Sequence, residues 1–136
     1  MHAMFEAAHE GTGATGIEGV EVVCRAALAT TAADVLAADG YLLGTPANLG
    51  TMSGALKHCF DTIYYPCLDD TRGRPFGVYV HGNNDVDGAL RDIAKITTGL
   101  DWRIAQSPVR VVGEPTRDDL DACRELGAAL AAGLMP

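Results

Sequence analysis

The chain has 136 residues, of which 48% are hydrophobic and 21% are charged, and its formal net charge at pH 7 is −8. This balance is typical of a globular protein, and we expect residues 1–136 to form a single domain. An acidic chain without clustered Lys and Arg argues against nucleic acids and anionic membranes as partners, and the absence of a membrane-length apolar run or a signal-peptide pattern favours a cytoplasmic protein.

Four cysteines stand at positions 24, 59, 67 and 123, and no two of them form a C-x-x-C pair. This spacing is not that of a zinc site or a dithiol redox motif. We therefore expect buried, inert thiols, because free cysteine behaves as a small hydrophobic residue. No cluster of His, Cys and carboxylate residues indicates a metal site.

Helical periodicity and capping signals alternate with short apolar runs along the whole chain. They predict helices that begin at Met1 and Thr30, extend from Met52 to Pro66, and cover 86–99 and 116–131. The apolar runs predict strands at 20–25, 41–44, 76–80 and within 102–112, where Pro108 favours the later part. The order α-β-α-β-α-β-α-β-α predicts a parallel sheet with helices on both faces.

Two uncharged or weakly charged loops directly follow predicted strands, at 45–51 and at 81–85. In parallel sheets, ligands bind outside the carboxyl ends of the strands. We therefore expect these two loops to lie at the same edge of the sheet and to form a binding site there.

Two sequence motifs carry a resemblance to a known family: "ADGYLLGTPANLGTMSGALKHCFD" at 38–61 and, more weakly, "RPFGVYVHGNND" at 74–85. With these motifs the chain resembles the flavodoxin-like NADPH-dependent FMN reductases and their quinone reductase relatives, over nearly its whole length. The resemblance implies an α/β, flavodoxin-like three-layer sandwich with a parallel sheet.

The same resemblance implies an FMN site built from the two loops. Backbone N–H groups in such loops can hydrogen-bond the polar edge of a flavin without any ionised side chain. The implied cofactor-binding residues are Thr45, Pro46, Ala47, Asn48, Leu49, Gly50, Thr51, Met52, His81, Gly82, Asn83 and Asn84.

The implied activity is the transfer of a hydride from NAD(P)H to FMN and of electrons from FMN to a quinone or another small-molecule acceptor. No catalytic side chain is implied, because the flavin carries the chemistry. The resemblance also implies a homo-oligomer, a dimer or a tetramer. The alternative is a flavodoxin-like electron carrier, or a flavin-free interaction module.

The family pattern begins with a strand and a hydroxyl-rich phosphate loop before the first helix, whereas this chain starts within that helix. The first central strand is therefore expected to be absent, with weak or absent FMN binding if the 136 residues are the whole protein. A truncated sequence, a partner chain that fills the gap and the loss of phosphate binding are the three explanations.

Several candidate residues also have structural interpretations. His81 either contacts the flavin or ends a strand, and Asn83 and Asn84 either face the flavin or cap the next helix. Trp102 either stacks on a ligand or lies in the core.

Overall fold

Five α-helices and five β-strands account for the regular structure of the computed structural model, which describes residues 1–136. The helices are α1 (His2–Thr12), α2 (Ala32–Ala37), α3 (Gly54–Cys67), α4 (Asp87–Gly99) and α5 (Arg117–Ala132), with a 3₁₀ turn at Ala27–Ala29. The strands are β1 (Tyr41–Asn48), β2 (Thr51–Met52), β3 (Pro75–Gly82), β4 (Arg103–Ile104) and β5 (Val109–Val112).

The sheet is built around β3. Strand β1 runs parallel to β3 along one edge, in a register that extends from the pair Tyr41–Phe76 to the pair Pro46–His81. Both β4 and β5 run parallel to β3 along its other edge, at the start and the end of β3 respectively. Strand β2 is antiparallel to β1. The mostly parallel sheet and the strand at 109–112 confirm two of the sequence predictions.

Helices cover both faces of the sheet, as the unbroken apolar runs of β1 and β3 predicted. Helices α2, α3 and α4 pack on one face and α1 and α5 on the other. Trp102 belongs to the first core: its ring stacks on Tyr41 at a centroid distance of 4.1 Å, and its Nε1 donates to Thr71 Oγ1 at 2.8 Å. The core interpretation of Trp102 is therefore confirmed. No helix is both long and apolar enough to span a bilayer.

Local signals set the helix boundaries. Ser53 accepts a hydrogen bond from the Leu56 amide at the start of α3, and Thr116 forms a capping box with Asp119 at the start of α5. A second capping box, between Thr31 and Asp34, opens the short helix α2. Each cap satisfies backbone amides that have no partner within the helix, which is why these three helices begin close to the predicted positions.

The predicted strand at 20–25 does not form. No backbone hydrogen bond joins this segment to any other residue, and the side chains of Val22 and Val23 are 41% and 57% exposed. Cys24 lies in the same segment and is exposed, so the expectation of four buried thiols is wrong for this one residue. A β-branched run adopts strand structure only when another strand pairs with it, and none does here.

Most of the outer edge of β1, the edge away from β3, has no partner strand. On the side away from β3, β1 pairs only at Ala47 and Asn48, with β2. Leu42 and Leu43 are only partly buried, although the apolar run 41–44 predicts a strand that is covered on both faces. No strand precedes β1 in the described residues.

Candidate functional site

The parallel register of β1 and β3 brings the two candidate stretches to one edge of the sheet. Pro46 in β1 lies opposite His81 in β3, so the residues that follow both strands emerge side by side. We call residues 45–52 and 81–84 the rim. The prediction that the two stretches share an edge is confirmed.

The first half of the rim is more regular than a loop. Strand β1 continues to Asn48, and a two-residue turn at Leu49 and Gly50 leads into β2. Both turn residues have positive φ, 47° and 81°, as tight hairpin turns of the I′ type require. The expectation of a loop over all of 45–51 is wrong, because cross-strand pairing at Ala47 and Asn48 extends the strand structure.

The hairpin turn is held against the start of α4. A Cβ atom added to Gly88 would lie 1.9 Å from the Gly50 carbonyl oxygen, so the two backbones touch at a position where only glycine fits. Next to this contact, the Thr51 hydroxyl donates to Asp92 Oδ2 at 2.6 Å. The first half of the rim is therefore fixed to a rigid helix.

Four backbone amides of the rim have no hydrogen-bond acceptor in the protein. They belong to Leu49 and Gly50 in the hairpin turn and to Asn83 and Asn84 after β3. All four residues are exposed. Two short turns thus present unpaired N–H donors at the same edge. A flat ligand with acceptor atoms along one side could accept hydrogen bonds from them.

Two predicted site residues turn their side chains into the protein instead. Thr45 is fully buried, with its hydroxyl donating to the Pro46 carbonyl at 2.7 Å and accepting from the Ser53 amide at 3.0 Å. Met52 is 3% exposed and packs in the core. Both position the rim from within, because almost nothing of either side chain is exposed.

His81 and Gly82 are tied to the turn after β5. His81 Nε2 lies 2.7 Å from the Gly113 carbonyl oxygen, and because a carbonyl only accepts, Nε2 carries the proton. The Gly113 amide donates in turn to the Gly82 carbonyl at 2.8 Å. This contact of the His81 side chain supports the interpretation that His81 ends a strand. It also places the Gly113 turn next to the rim.

The ionisable groups with the largest pKa shifts lie away from the rim. Burial raises the pKa of Tyr79 to about 12 and that of Cys123 to about 11, both in the core between the sheet and the α1 and α5 helices. No group of three or more His, Cys, Asp or Glu side chains is placed to hold a metal ion. The chemistry of the rim is thus that of backbone donors and small side chains.

Solved structures superpose on nearly the whole chain. A flavodoxin from Streptococcus pneumoniae superposes with a TM-score of 0.81 at 16% identity, covering 98% of this chain and 90% of that one. The fold is flavodoxin-like. A flavodoxin, WrbA-like protein from Agrobacterium tumefaciens superposes with a TM-score of 0.72 at 21% identity, covering 96% of this chain and 86% of the other.

Among curated proteins, a flavodoxin from Aquifex aeolicus is 28% identical in an alignment that covers 88% of this chain and 73% of that protein. No family model matches the chain. The comparisons therefore support the flavodoxin-like fold that the motifs at 38–61 and 74–85 predicted, without assigning the chain to the FMN reductases.

Sequence reasoning missed three residues that shape the rim of this flavodoxin-like fold: Gly88, Asp92 and Gly113. Gly88 had a recognisable signal, since a glycine in the first turn of an amphipathic helix indicates a close backbone contact. Asp92 gave none, because a carboxylate on the polar side of a helix is indistinguishable from a solvated one. Gly113 follows β5 as an ordinary turn residue.

Proposed function

We propose that the chain is an FMN-dependent NAD(P)H oxidoreductase that holds the flavin ring by its polar edge at the rim. The observation that carries the proposal is the pairing of Pro46 with His81, which puts two donor-rich turns at one edge of the sheet. In doubly wound sheets this edge, at the carboxyl ends of the strands, is where ligands bind. The flavodoxin names of the similar proteins support the same cofactor.

The residues of the rim fit a flavin ring by their chemistry. The ring has acceptor atoms along one edge, and the amides of Leu49, Gly50, Asn83 and Asn84 are the donors without partners. Backbone donors fixed by a hairpin and a strand end need little reorganisation to meet the negative charge of a reduced ring. The hydride and electron transfers belong to the flavin when it is bound, and the rim residues orient it.

The fit does not extend to a phosphate cradle. Helix α1 begins at His2, with Met1 at the N-cap position and no side-chain capping bond. Among the described residues, the rim thus supplies contacts to the ring, whereas the start of α1 supplies no side-chain contact for a phosphate. The binding test therefore uses riboflavin and FMN, which share the ring.

The binding test uses a pair of variants at one residue. Asn84→Pro removes the backbone N–H donor, and Asn84→Ala removes the side chain and keeps the donor. Because the Asn84 amide has no partner within the protein, neither change removes an internal backbone bond. A lost hydrogen bond is worth about 1 kcal/mol, so we expect Asn84→Pro to weaken riboflavin binding about fivefold in a fluorescence titration and Asn84→Ala to leave it nearly unchanged.

Matched thermal unfolding curves for the two variants would show that the fold is intact. The proposal is wrong if neither flavin gives a saturable change in fluorescence. It is also wrong if the two Asn84 variants bind flavin equally well, since the backbone donor would then have no role.

An electron carrier is the second candidate, because the curated relative is named a flavodoxin. The two functions differ in their reaction with the nicotinamide donor. Addition of NADPH to the flavin-loaded protein without oxygen should bleach the absorbance near 450 nm rapidly for an oxidoreductase. An electron carrier would keep its colour until a reductase is added.

A further inference from the structure

The chain contains only two lysines, Lys57 and Lys95, and both line the same cavity. The cavity has a volume of about 530 Å³ and lies between the β1–β2 hairpin, α3 and α4. Lys57 comes from α3 and Lys95 from α4. Both lysines of this acidic protein thus line one cavity, which makes it a candidate place for an anion.

The carboxylates nearby leave the two lysines largely available. Lys57 Nζ lies 2.7 Å from Asp61 Oδ1, but both side chains are more than half exposed and an i, i+4 pair of this kind is worth only a few tenths of a kcal/mol. Asp92 lines the same cavity and keeps its negative charge while it accepts the Thr51 hydroxyl, but it forms an ion pair with neither lysine. Lys95 forms no ion pair and no hydrogen bond. Lys95 is thus the free cation of the cavity.

The remaining walls suit an organic ligand. Leu49, Met52 and Ile96 form an apolar surface within the cavity. The volume falls within the range of small-molecule sites, which combine apolar walls with a few polar groups that fix orientation. An apolar surface beside two ammonium groups fits a nucleotide, with its base on the apolar residues and its phosphates on the lysines.

The position of the cavity connects it with the rim. Asn48, Leu49, Thr51 and Met52 belong to the rim and also line the cavity. We infer that the cavity binds the phosphorylated adenosine half of the nicotinamide dinucleotide whose other half meets the flavin, with Lys57 and Lys95 on its phosphates. This inference rests on the proposed function and names its donor site.

The test measures the binding of adenosine 2′,5′-bisphosphate to the flavin-free chain by calorimetry and by amide chemical shifts. Lys95→Gln and Lys57→Gln each remove one ammonium group from the cavity. Arg103→Gln is the matched control, because Arg103 is exposed, makes no ion pair and does not line the cavity. We expect each lysine variant to weaken binding about tenfold and the control to change it less than twofold.

Adenosine without phosphates is the second probe, and it should bind much more weakly and without dependence on either lysine. The inference is overturned if the lysine and Arg103 variants lose equal affinity for the bisphosphate. It is also overturned if the amide chemical-shift changes are confined to residues outside the cavity, or if the bisphosphate does not bind. Riboflavin titration of the same variants separates the two proposals. Flavin binding without lysine-dependent nucleotide binding refutes the donor site alone, whereas lysine-dependent binding supports the site even if flavin fails to bind.

Discussion

Replacement of Gly88 by Ala tests how the rim is built. The added Cβ would lie 1.9 Å from the Gly50 carbonyl oxygen, whereas real Cβ contacts essentially never fall below 3.0 Å. Helix α4 cannot yield easily, because Ala89 and Ile93 on its inner side are buried to within 1% of full burial. The hairpin turn must therefore move by about 1 Å or more, and overpacking of this kind costs about 1–3 kcal/mol of unfolding free energy.

Urea or thermal unfolding measures this cost, with Gly54→Ala as the matched control. A Cβ at Gly54 meets nothing within 4 Å, and we expect that variant to stay within about 0.5 kcal/mol of the wild type. Because the displaced turn carries the free amides of Leu49 and Gly50, flavin affinity should fall about tenfold or more in Gly88→Ala. Wild-type stability together with wild-type flavin affinity in Gly88→Ala would refute the close packing of hairpin on helix.

Three further predictions concern stability and reactivity. Arg74→Met should lower the unfolding free energy in urea titrations by about 2–3 kcal/mol, because Arg74 Nη1 donates to the carbonyls of Leu36 and Ala38, both at 2.8 Å, at the end of α2. Full stability of an Arg74→Lys variant would contradict this explanation. Of the four thiols, Cys24 alone is exposed, and burial raises the pKa of the other three. At pH 8 one thiol should therefore react rapidly with a disulfide reagent, and Cys24→Ser should abolish this reaction; a second rapidly reacting thiol would argue against the core packing. Burial raises the pKa of Tyr79 from 10.0 to about 12, so the contribution of the neutral phenol to stability is present below pH 10 and is lost as the pH rises toward 12. Between these pH values the unfolding free energy of the wild type should therefore fall by about 2 kcal/mol relative to that of Tyr79→Phe, and parallel curves of unfolding free energy against pH would show that the phenol is not desolvated.

The predicted helices were largely right because their signals are local. Periodic apolar residues and the Thr116 capping box act within one or two turns of the chain, so α3, α4 and α5 start and end near the expected positions. The segment 20–25 shows the limit of this reasoning. Its β-branched residues favour a strand, but a strand also needs a partner, and partners are set by contacts between distant residues.

The sequence by itself determined the class of fold and the edge of the sheet at which the two candidate stretches lie. Apolar runs without alternation require helices on both faces of a sheet, and the carboxyl ends of parallel strands lie at a common edge, so positions 45–51 and 81–85 were expected at that edge. Both conclusions follow from periodicity and chain direction alone.

Only the tertiary structure decided what the site contains. The contact of Gly50 with Gly88, the bond from Thr51 to Asp92 and the shared cavity of Lys57 and Lys95 join residues on separate elements. Nothing in the local sequence encodes such pairs, because the register of the sheet and the packing of α3 and α4 against it set which side chains become neighbours.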